Sequence, residues 1–312
     1  MIRWGFLGAG WMATVFAPAV YEAQGALLQA AAARDPERAR GLGPVTTHAS
    51  YDEVLADPDV DAVYISLSNE AHLPWTLASL AAGKHVLCEK PLCLTADEVD
   101  QVIAAATTRR AVEASWYRWH PRIRLAQQQL DRIGTVRHVS AGFTFAGELD
   151  GNYRMDPARG GGALYDVGHY AVSAALWAVG RGLPSDVAAR ARRSASGVDL
   201  STEAVLEWDG ATAEIRAGID EGLGQWLTIT GDQGELELRD APFTTWTGTE
   251  SELMVSGGSG TERLRVPPAN AYRVMVEEVS SVLEGGPGWA LPLEESRLTA
   301  ACLDLIRNAC GD

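Results

Sequence analysis

Residues 2–13 read Ile2-Arg3-Trp4-Gly5-Phe6-Leu7-Gly8-Ala9-Gly10-Trp11-Met12-Ala13. A short apolar strand, Ile2–Leu7, runs into Gly-x-Gly-x-x-Ala and opens a helix, the context in which this glycine pattern binds a dinucleotide. Gly8 permits a tight turn. Gly10 lets the backbone approach a pyrophosphate, whose charge the helix N-terminus favours, and Ala13 allows the helix to pack closely on the strand. Flavin and S-adenosylmethionine binders share parts of this pattern.

The alternation continues downstream. The helix Trp11–Ala23 is expected to kink or shorten at Pro18. Ala26–Ala33 is a second strand, and Asp35-Pro36 starts a helix as N-cap and first helical residue. Ser50-Tyr51-Asp52-Glu53 has capping-box spacing. Ala62–Leu67 is a buried strand, Leu73–Ala82 a helix closed by Gly83, and His85–Cys88 the next strand. Thr95 caps a helix to Thr107, and Val112–Ser115 is a further strand. Strands alternating with helices predict an α/β domain with a parallel, doubly wound sheet.

Near residue 120 the pattern changes. A helix, Ile123–Ile133, precedes an alternating strand, Val136–Phe145. A glycine-rich loop and helix, Gly161–Val179, follow. Then come strands Val187–Ser194, Ser201–Trp208, Thr212–Ile219, Trp226–Thr230 and Glu235–Arg239. Ser256–Gly260 reads as a turn or loop, and helices Ala271–Leu283 and Glu294–Ala309 end the chain. This predicts an α+β domain with a large, open, mainly antiparallel sheet. The expected domains are 1–118 and 119–312, the last helix being a candidate to pack back on the first.

The chain has 312 residues, 46% of them apolar, and a formal charge of −15. That charge argues against a nucleic-acid partner, which needs clustered Lys and Arg. No apolar run approaches the ~20 residues that span a bilayer. Cys88, Cys93, Cys302 and Cys310 form no Cys-x-x-Cys pair and no zinc spacing, so no metal is expected and a reduced, cytoplasmic setting fits.

Two further segments carry chemistry. Glu89-Lys90-Pro91 closes the strand His85–Cys88. A lysine after a strand is ordinarily a surface residue, but at the C-terminal end of a parallel strand Lys90 faces the ligand crevice. There it can hydrogen-bond a substrate hydroxyl or favour ionisation of a neighbouring acid. In Gly160-Gly161-Gly162-Ala163-Leu164-Tyr165-Asp166-Val167-Gly168-His169-Tyr170, helical spacing puts Asp166, His169 and Tyr170 on one face. The second strand ends Ala33-Arg34-Asp35. A small neutral residue followed by Arg34 suits the 2′-phosphate of NADP; Asp35, read here as a helix cap, is the alternative carboxylate for NAD.

These motifs resemble the glucose–fructose oxidoreductase/inositol dehydrogenase (Gfo/Idh/MocA) family. The resemblance rests on Gly8-Ala9-Gly10, Ser68-Asn69-Glu70-Ala71-His72, the run Ala82-Gly83-Lys84-His85 through Glu89-Lys90-Pro91, the segment Arg118-Trp119-His120-Pro121, and Gly161 through Tyr170, so it spans both domains. It implies a Rossmann domain and a bond, Lys90–Pro91, that is often cis in the family. Inositol dehydrogenase-like members have Asp-x-Gly-x-His. Tyr170 stands where that histidine falls, with His169 one place earlier. This resembles the branch of dihydrodiol dehydrogenase and NADP-linked sugar oxidoreductases, in which tyrosine is the acid/base. Ser68 replaces a proline common in the family.

The resemblance implies hydride transfer between a carbinol carbon and nicotinamide. Tyr170 is the expected acid/base, aided by Lys90, because an unperturbed phenol (pKa about 10) is a poor base at neutral pH. Asp166 is expected to position and His169 is held in reserve. Cofactor contacts are expected from Gly8, Ala9, Gly10, Trp11, Met12, Arg34, Ser66, Leu67, Asn69, His72, Glu89 and Lys90, and substrate contacts from Arg118, His120 and Arg154. The expected cofactor is NADP, with NAD as the alternative, and the substrate a sugar, polyol or dihydrodiol. A homodimer or homotetramer through the C-terminal sheet is expected. Two other readings stay open: a regulator that kept the fold and cofactor without the chemistry, and an enzyme that retains NAD and works by transient oxidation.

Overall fold

The computed structural model describes residues 1–239, 243–244, 248–258 and 260–311. Its first part alternates as expected: β1 (Ile2–Leu7), α1 (Trp11–Glu22), β2 (Ala26–Ala32), α2 (Pro36–Gly41), β3 (Thr46–Thr47), α3 (Tyr51–Ala56), β4 (Ala62–Ile65), α4 (His72–Ala81), β5 (His85–Cys88), α5 (Ala96–Ala105) and β6 (Ala111–Glu113). The second part holds α6 (Pro121–Gln129), β7 (Val136–Ala146), α7 (His169–Val179), β8 (Asp186–Arg193), β9 (Asp199–Trp208), β10 (Ala211–Gly218), β11 (Asp220–Gly231), β12 (Gly234–Arg239), β13 (Ser251–Gly257) and β14 (Gly260–Val266). Helices α8 (Ala271–Leu283) and α9 (Leu293–Ala309) follow. Two compact units emerge: Met1–Cys93 with Asp97–Trp116 and Asn270–Ser296, and Leu94–Ala96 with Tyr117–Ala269 and the chain from Arg297 on. Helix α8 therefore counts with the first unit; residue 312 lies outside the described residues.

The first unit is a six-stranded parallel sheet in the order β3-β2-β1-β4-β5-β6. From β1 the chain winds outward to β2 and β3, then returns to place β4 on the other side of β1. This reversal opens a crevice at the strands' C-terminal ends, where ligands of open α/β sheets bind. Local chemistry fixes the helix starts: Asp35 accepts a hydrogen bond from the Glu37 amide, and Ser50 from the Glu53 amide. Glu53 returns its carboxylate to the Ala49 amide at 2.9 Å, one residue before the cap. Pro18 does not shorten α1, which continues to Glu22. Phe16 and Ala19 on either side of it are buried, and packing of that face outweighs the one lost hydrogen bond. The buried Trp4 donates its indole N–H to Ser280 of α8 at 3.2 Å.

The second unit is an eight-stranded sheet in the order β14-β13-β12-β11-β7-β10-β9-β8, antiparallel except for β7 beside β10. Three expectations need correction. β11 starts at Asp220, six residues before the expected Trp226, because Gly222 and Gly224 read as breakers yet accommodate an irregularity in the register against β7. The hairpin β13–β14 was not anticipated. β14 carries Glu262, Arg263 and Arg265 at the sheet's edge, where charge is tolerated and conceals the strand. Within the stretch Ser256–Gly260, read as a turn or loop, Gly257 ends β13 opposite Gly260, which starts β14; Ser259 lies outside the described residues. Finally, Gly161–Val179 is not one α-helix. Residues Leu164–Gly168 form a π-helical turn and the α-helix begins at His169. Gly168 allows this segment to lie against β10: a Cβ there would be 3.2 Å from that of Ala217.

Candidate active site

In the first unit the glycine loop and the β4 exit come together. Gly8 has φ +105°, and a Cβ on it would be 3.0 Å from both the Ser66 carbonyl and Leu67 Cδ2. Only glycine suits this turn. Helix α1 starts from Gly10 with no side-chain cap, so its first amides face outward for an anion. Ser66 Oγ is buried and has no hydrogen-bond partner among the described residues. Trp11 is 63% exposed at the start of α1. At the tip of β2, Ala33 is buried and Arg34 exposed, while Asp35 is engaged as the cap of α2. Burial raises the Tyr51 phenol, and the nearby Arg34 charge partly offsets it.

The exit of β5 is held just as closely. The Lys90–Pro91 bond is cis. The Glu89 carboxylate is buried and accepts the Tyr64 hydroxyl at 2.6 Å and the Lys90 amide at 3.3 Å. Burial pushes Glu89 up to about 7, against the opposing pull of the Tyr64 hydrogen bond and the Lys90 charge. Tyr64 stacks on Phe16 with ring centres 4.1 Å apart. Glu113 accepts the Leu92 amide at 2.8 Å. His72 is fully buried, its Nδ1 2.7 Å from the Pro91 carbonyl and its Nε2 3.2 Å from the Leu67 carbonyl. It thereby ties the β4 exit to the β5 exit, and burial lowers its pKa. Asn69 lies buried in the short 3-10 turn before it. Lys84 of the family run is structural: its ammonium donates to the carbonyls of Asp57 and Val60, each at 2.7 Å.

The second unit gathers Tyr170, His169, Asp166 and Arg154. Asp166, His169 and Tyr170 are all buried. The π turn changes the expected α-helical spacing, since Asp166 lies inside it and Tyr170 beyond it. Tyr170 packs edge-on to Tyr117 at 5.7 Å and to His169 at 5.8 Å, with Phe143 at 5.9 Å. Arg154 makes a two-pronged pair with Asp166: Nε to Oδ2 at 2.6 Å and Nη2 to Oδ1 at 3.2 Å. Its guanidinium also lies 5.2 Å from the Tyr153 ring. Arg118 is buried. His120 serves α6, its Nδ1 accepting the Arg122 amide at 3.1 Å, and burial lowers it to about 4.

Residues 2–115 match the oxidoreductase family with an NAD-binding Rossmann fold, and residues 123–237 match the GFO/IDH/MocA C-terminal domain. The chain belongs to the GFO/IDH/MocA family. Among its relatives, D-xylose 1-dehydrogenase (NADP(+)) 2 of Haloferax volcanii is 36% identical, with 89% of this chain and 87% of the relative covered. The trans-1,2-dihydrobenzene-1,2-diol dehydrogenase of Bos taurus is 30% identical over 99% of this chain and 97% of its own. A 3-ketoreductase from Actinomadura kijaniata, crystallised with NADP and TDP-benzene, superposes with a TM-score of 0.89 at 26% identity, covering 99% of this chain and 97% of that one. That reductase has also been solved with a tyrosine changed to phenylalanine and with a lysine changed to glutamate or alanine.

As a GFO/IDH/MocA member the chain is an NAD(P)-dependent oxidoreductase, and its Rossmann unit fits that cofactor. The close approach at Gly8, the uncapped start of α1 and the orphaned Ser66 hydroxyl are what a pyrophosphate and its ribose would use. Sequence reading missed Tyr64, the partner of Glu89. The signal was there: a tyrosine inside the buried strand Ala62–Ile65 must find a hydrogen-bond partner, and Glu89 directly follows the adjacent strand. It also read Arg154 only as a substrate contact and did not foresee its pairing with Asp166.

Proposed function

We propose that this enzyme moves a hydride between NADP(H) and a carbinol or carbonyl carbon of a sugar, polyol or trans-dihydrodiol. The nicotinamide supplies the hydride acceptor or donor. Gly8, Ala9, Gly10, Trp11 and Met12 would hold the pyrophosphate, Arg34 the 2′-phosphate, and Ser66, Leu67, Asn69, His72 and Glu89 would shape the nicotinamide end. Tyr170 takes the hydroxyl proton on oxidation and returns it on reduction. Lys90 donates a hydrogen bond to the substrate oxygen and favours the phenolate. Asp166 positions, His169 lines the pocket, and Arg118 lends polarity to it.

The observation that carries this reading is Tyr170 itself: a buried phenol in the first turn of α7, after a π turn, on the Asp-x-Gly-x-Tyr pattern. Relatives named as an NADP-linked xylose dehydrogenase and a dihydrodiol dehydrogenase support the substrate class. We further propose a cytoplasmic enzyme in which a second copy covers the sheet face carrying Ser140, Trp226 and Val205.

The test uses Lys90→Met and Tyr170→Phe, with NADPH binding followed by fluorescence and turnover on aldoses, polyols and dihydrodiols. Binding kept and turnover lost by orders of magnitude supports the assignment. Near-normal turnover in Tyr170→Phe sinks it and turns attention to His169. A tightly co-purifying cofactor with no net NADPH formation favours transient oxidation instead.

A further inference from the structure

Asp166 presents an electrostatic difficulty. A carboxylate close to a phenol opposes the phenolate, yet Asp166 precedes the proposed base, Tyr170, by four residues and is buried with it. Burial makes an unpaired carboxylate more damaging, because little water screens it.

The charges within the second unit show how this is resolved. Asp166 and His169 stand on the same helical run as Tyr170, and Tyr117 packs on its ring from the segment before α6. From β7 the apolar Phe143 packs on the Tyr170 ring, with Phe145 beside Phe143. Arg154 arrives from the loop ahead of the glycines, with Tyr153 beside it. Its guanidinium fork fits both Asp166 oxygens, the geometry that carboxylate recognition favours. Arg154 also lies near enough to Tyr170 for a phenolate there to hold the guanidinium charged. Gly161 keeps the loop in place, since any Cβ on it would strike the Arg154 carbonyl.

We infer that Arg154 is a positioning residue whose guanidinium offsets the charge of Asp166 near Tyr170, so that the carboxylate orients the site with less suppression of the phenol's ionisation. This rests on Tyr170 being the acid/base. The consequence has a definite sign. Removing Arg154 takes this counter-charge away from Asp166 and makes Tyr170 harder to ionise. Removing the Asp166 charge leaves Arg154 uncompensated and makes Tyr170 easier to ionise.

The experiment compares Arg154→Gln, Arg154→Lys, Asp166→Asn and the double variant Arg154→Gln/Asp166→Asn. Two readouts are taken: the pH dependence of kcat/KM for alcohol oxidation, and the ultraviolet titration of tyrosinate in the cofactor-free protein. The titration is taken as the difference from the same protein carrying Tyr170→Phe. The rising limb is expected to move up by about one to three pH units in Arg154→Gln, the range one nearby charge produces. It moves down in Asp166→Asn and returns toward the wild-type position in the double variant, while Arg154→Lys partly preserves it. If Arg154→Gln does not fold, the downward shift in Asp166→Asn alone decides. Unmoved limbs overturn the inference, as does a rise in KM with kcat and limb unchanged, which would make Arg154 a substrate clamp. Those failures are distinct from failure of the proposed function, in which Tyr170→Phe itself stays active.

Discussion

Replacing Glu89 by glutamine tests the physics of the β5 exit. Burial raises this carboxyl from its ordinary 4.5 to about 7. The folded state therefore favours the neutral acid, and folding takes up a proton over that interval. A raised pKa contributes stability that is complete below the unfolded value, 4.5, and lost as pH rises through about 7. A rise of roughly 2.5 units, at about 1.4 kcal/mol per unit, makes the contribution about 3.5 kcal/mol, most of it disappearing between about pH 5 and 8. Glutamine has no proton to lose, keeps an acceptor for the Tyr64 hydroxyl and nearly matches the shape. Urea unfolding of the cofactor-free proteins across that range is the assay. The stability of the wild type relative to Glu89→Gln is expected to fall by about 2–3 kcal/mol as pH rises. Parallel pH curves for the two proteins would falsify the reasoning, because they would mean that Tyr64 and Lys90 keep Glu89 ionised in the fold despite its burial.

Arg34→Ala is expected to raise KM for NADP by about ten- to a hundredfold while leaving that for NAD little changed, since a charge-assisted bond to phosphate contributes roughly 1.5–3 kcal/mol; equal effects on both cofactors would remove Arg34 from the 2′-phosphate. His120, lowered to about 4, has the opposite stability sign to Glu89: its contribution is present above its unfolded value and lost as pH falls through about 4. His120→Asn keeps a capping acceptor for α6 and is expected to flatten thermal stability between about pH 6.5 and 4, measured by circular dichroism.

The Rossmann half was legible because each element announces itself locally. Asp35, Ser50 and Gly83 mark helix ends by side-chain or backbone chemistry that acts over a few residues, and β1, β4 and β5 are apolar runs between them. Lys90 and Tyr170 were legible as motif residues. What the sequence concealed depends on partners far along the chain. β14 is a strand because β13 pairs with it, not because Glu262, Arg263 and Arg265 alternate with apolar residues. The π turn at Leu164–Gly168 packs against Ala217, some fifty residues on, a contact that local periodicity does not show. Tyr64 and Arg154 gain their roles only when folding brings them to Glu89 and Asp166.

The π turn also bears on how this site tolerates change in length. A π turn holds one residue more than the α-helical turn it replaces, so it behaves as an insertion absorbed within the helix. Deleting one residue from 164–168 would let the segment close as ordinary α-helix, with the chain on either side keeping its orientation and only the residues inside the turn displaced. Tyr170 would keep its seat among Tyr117 and Phe143. Asp166, inside the turn, would shift against Arg154, so a single deleted codon would disturb the pair that Arg154 makes with it.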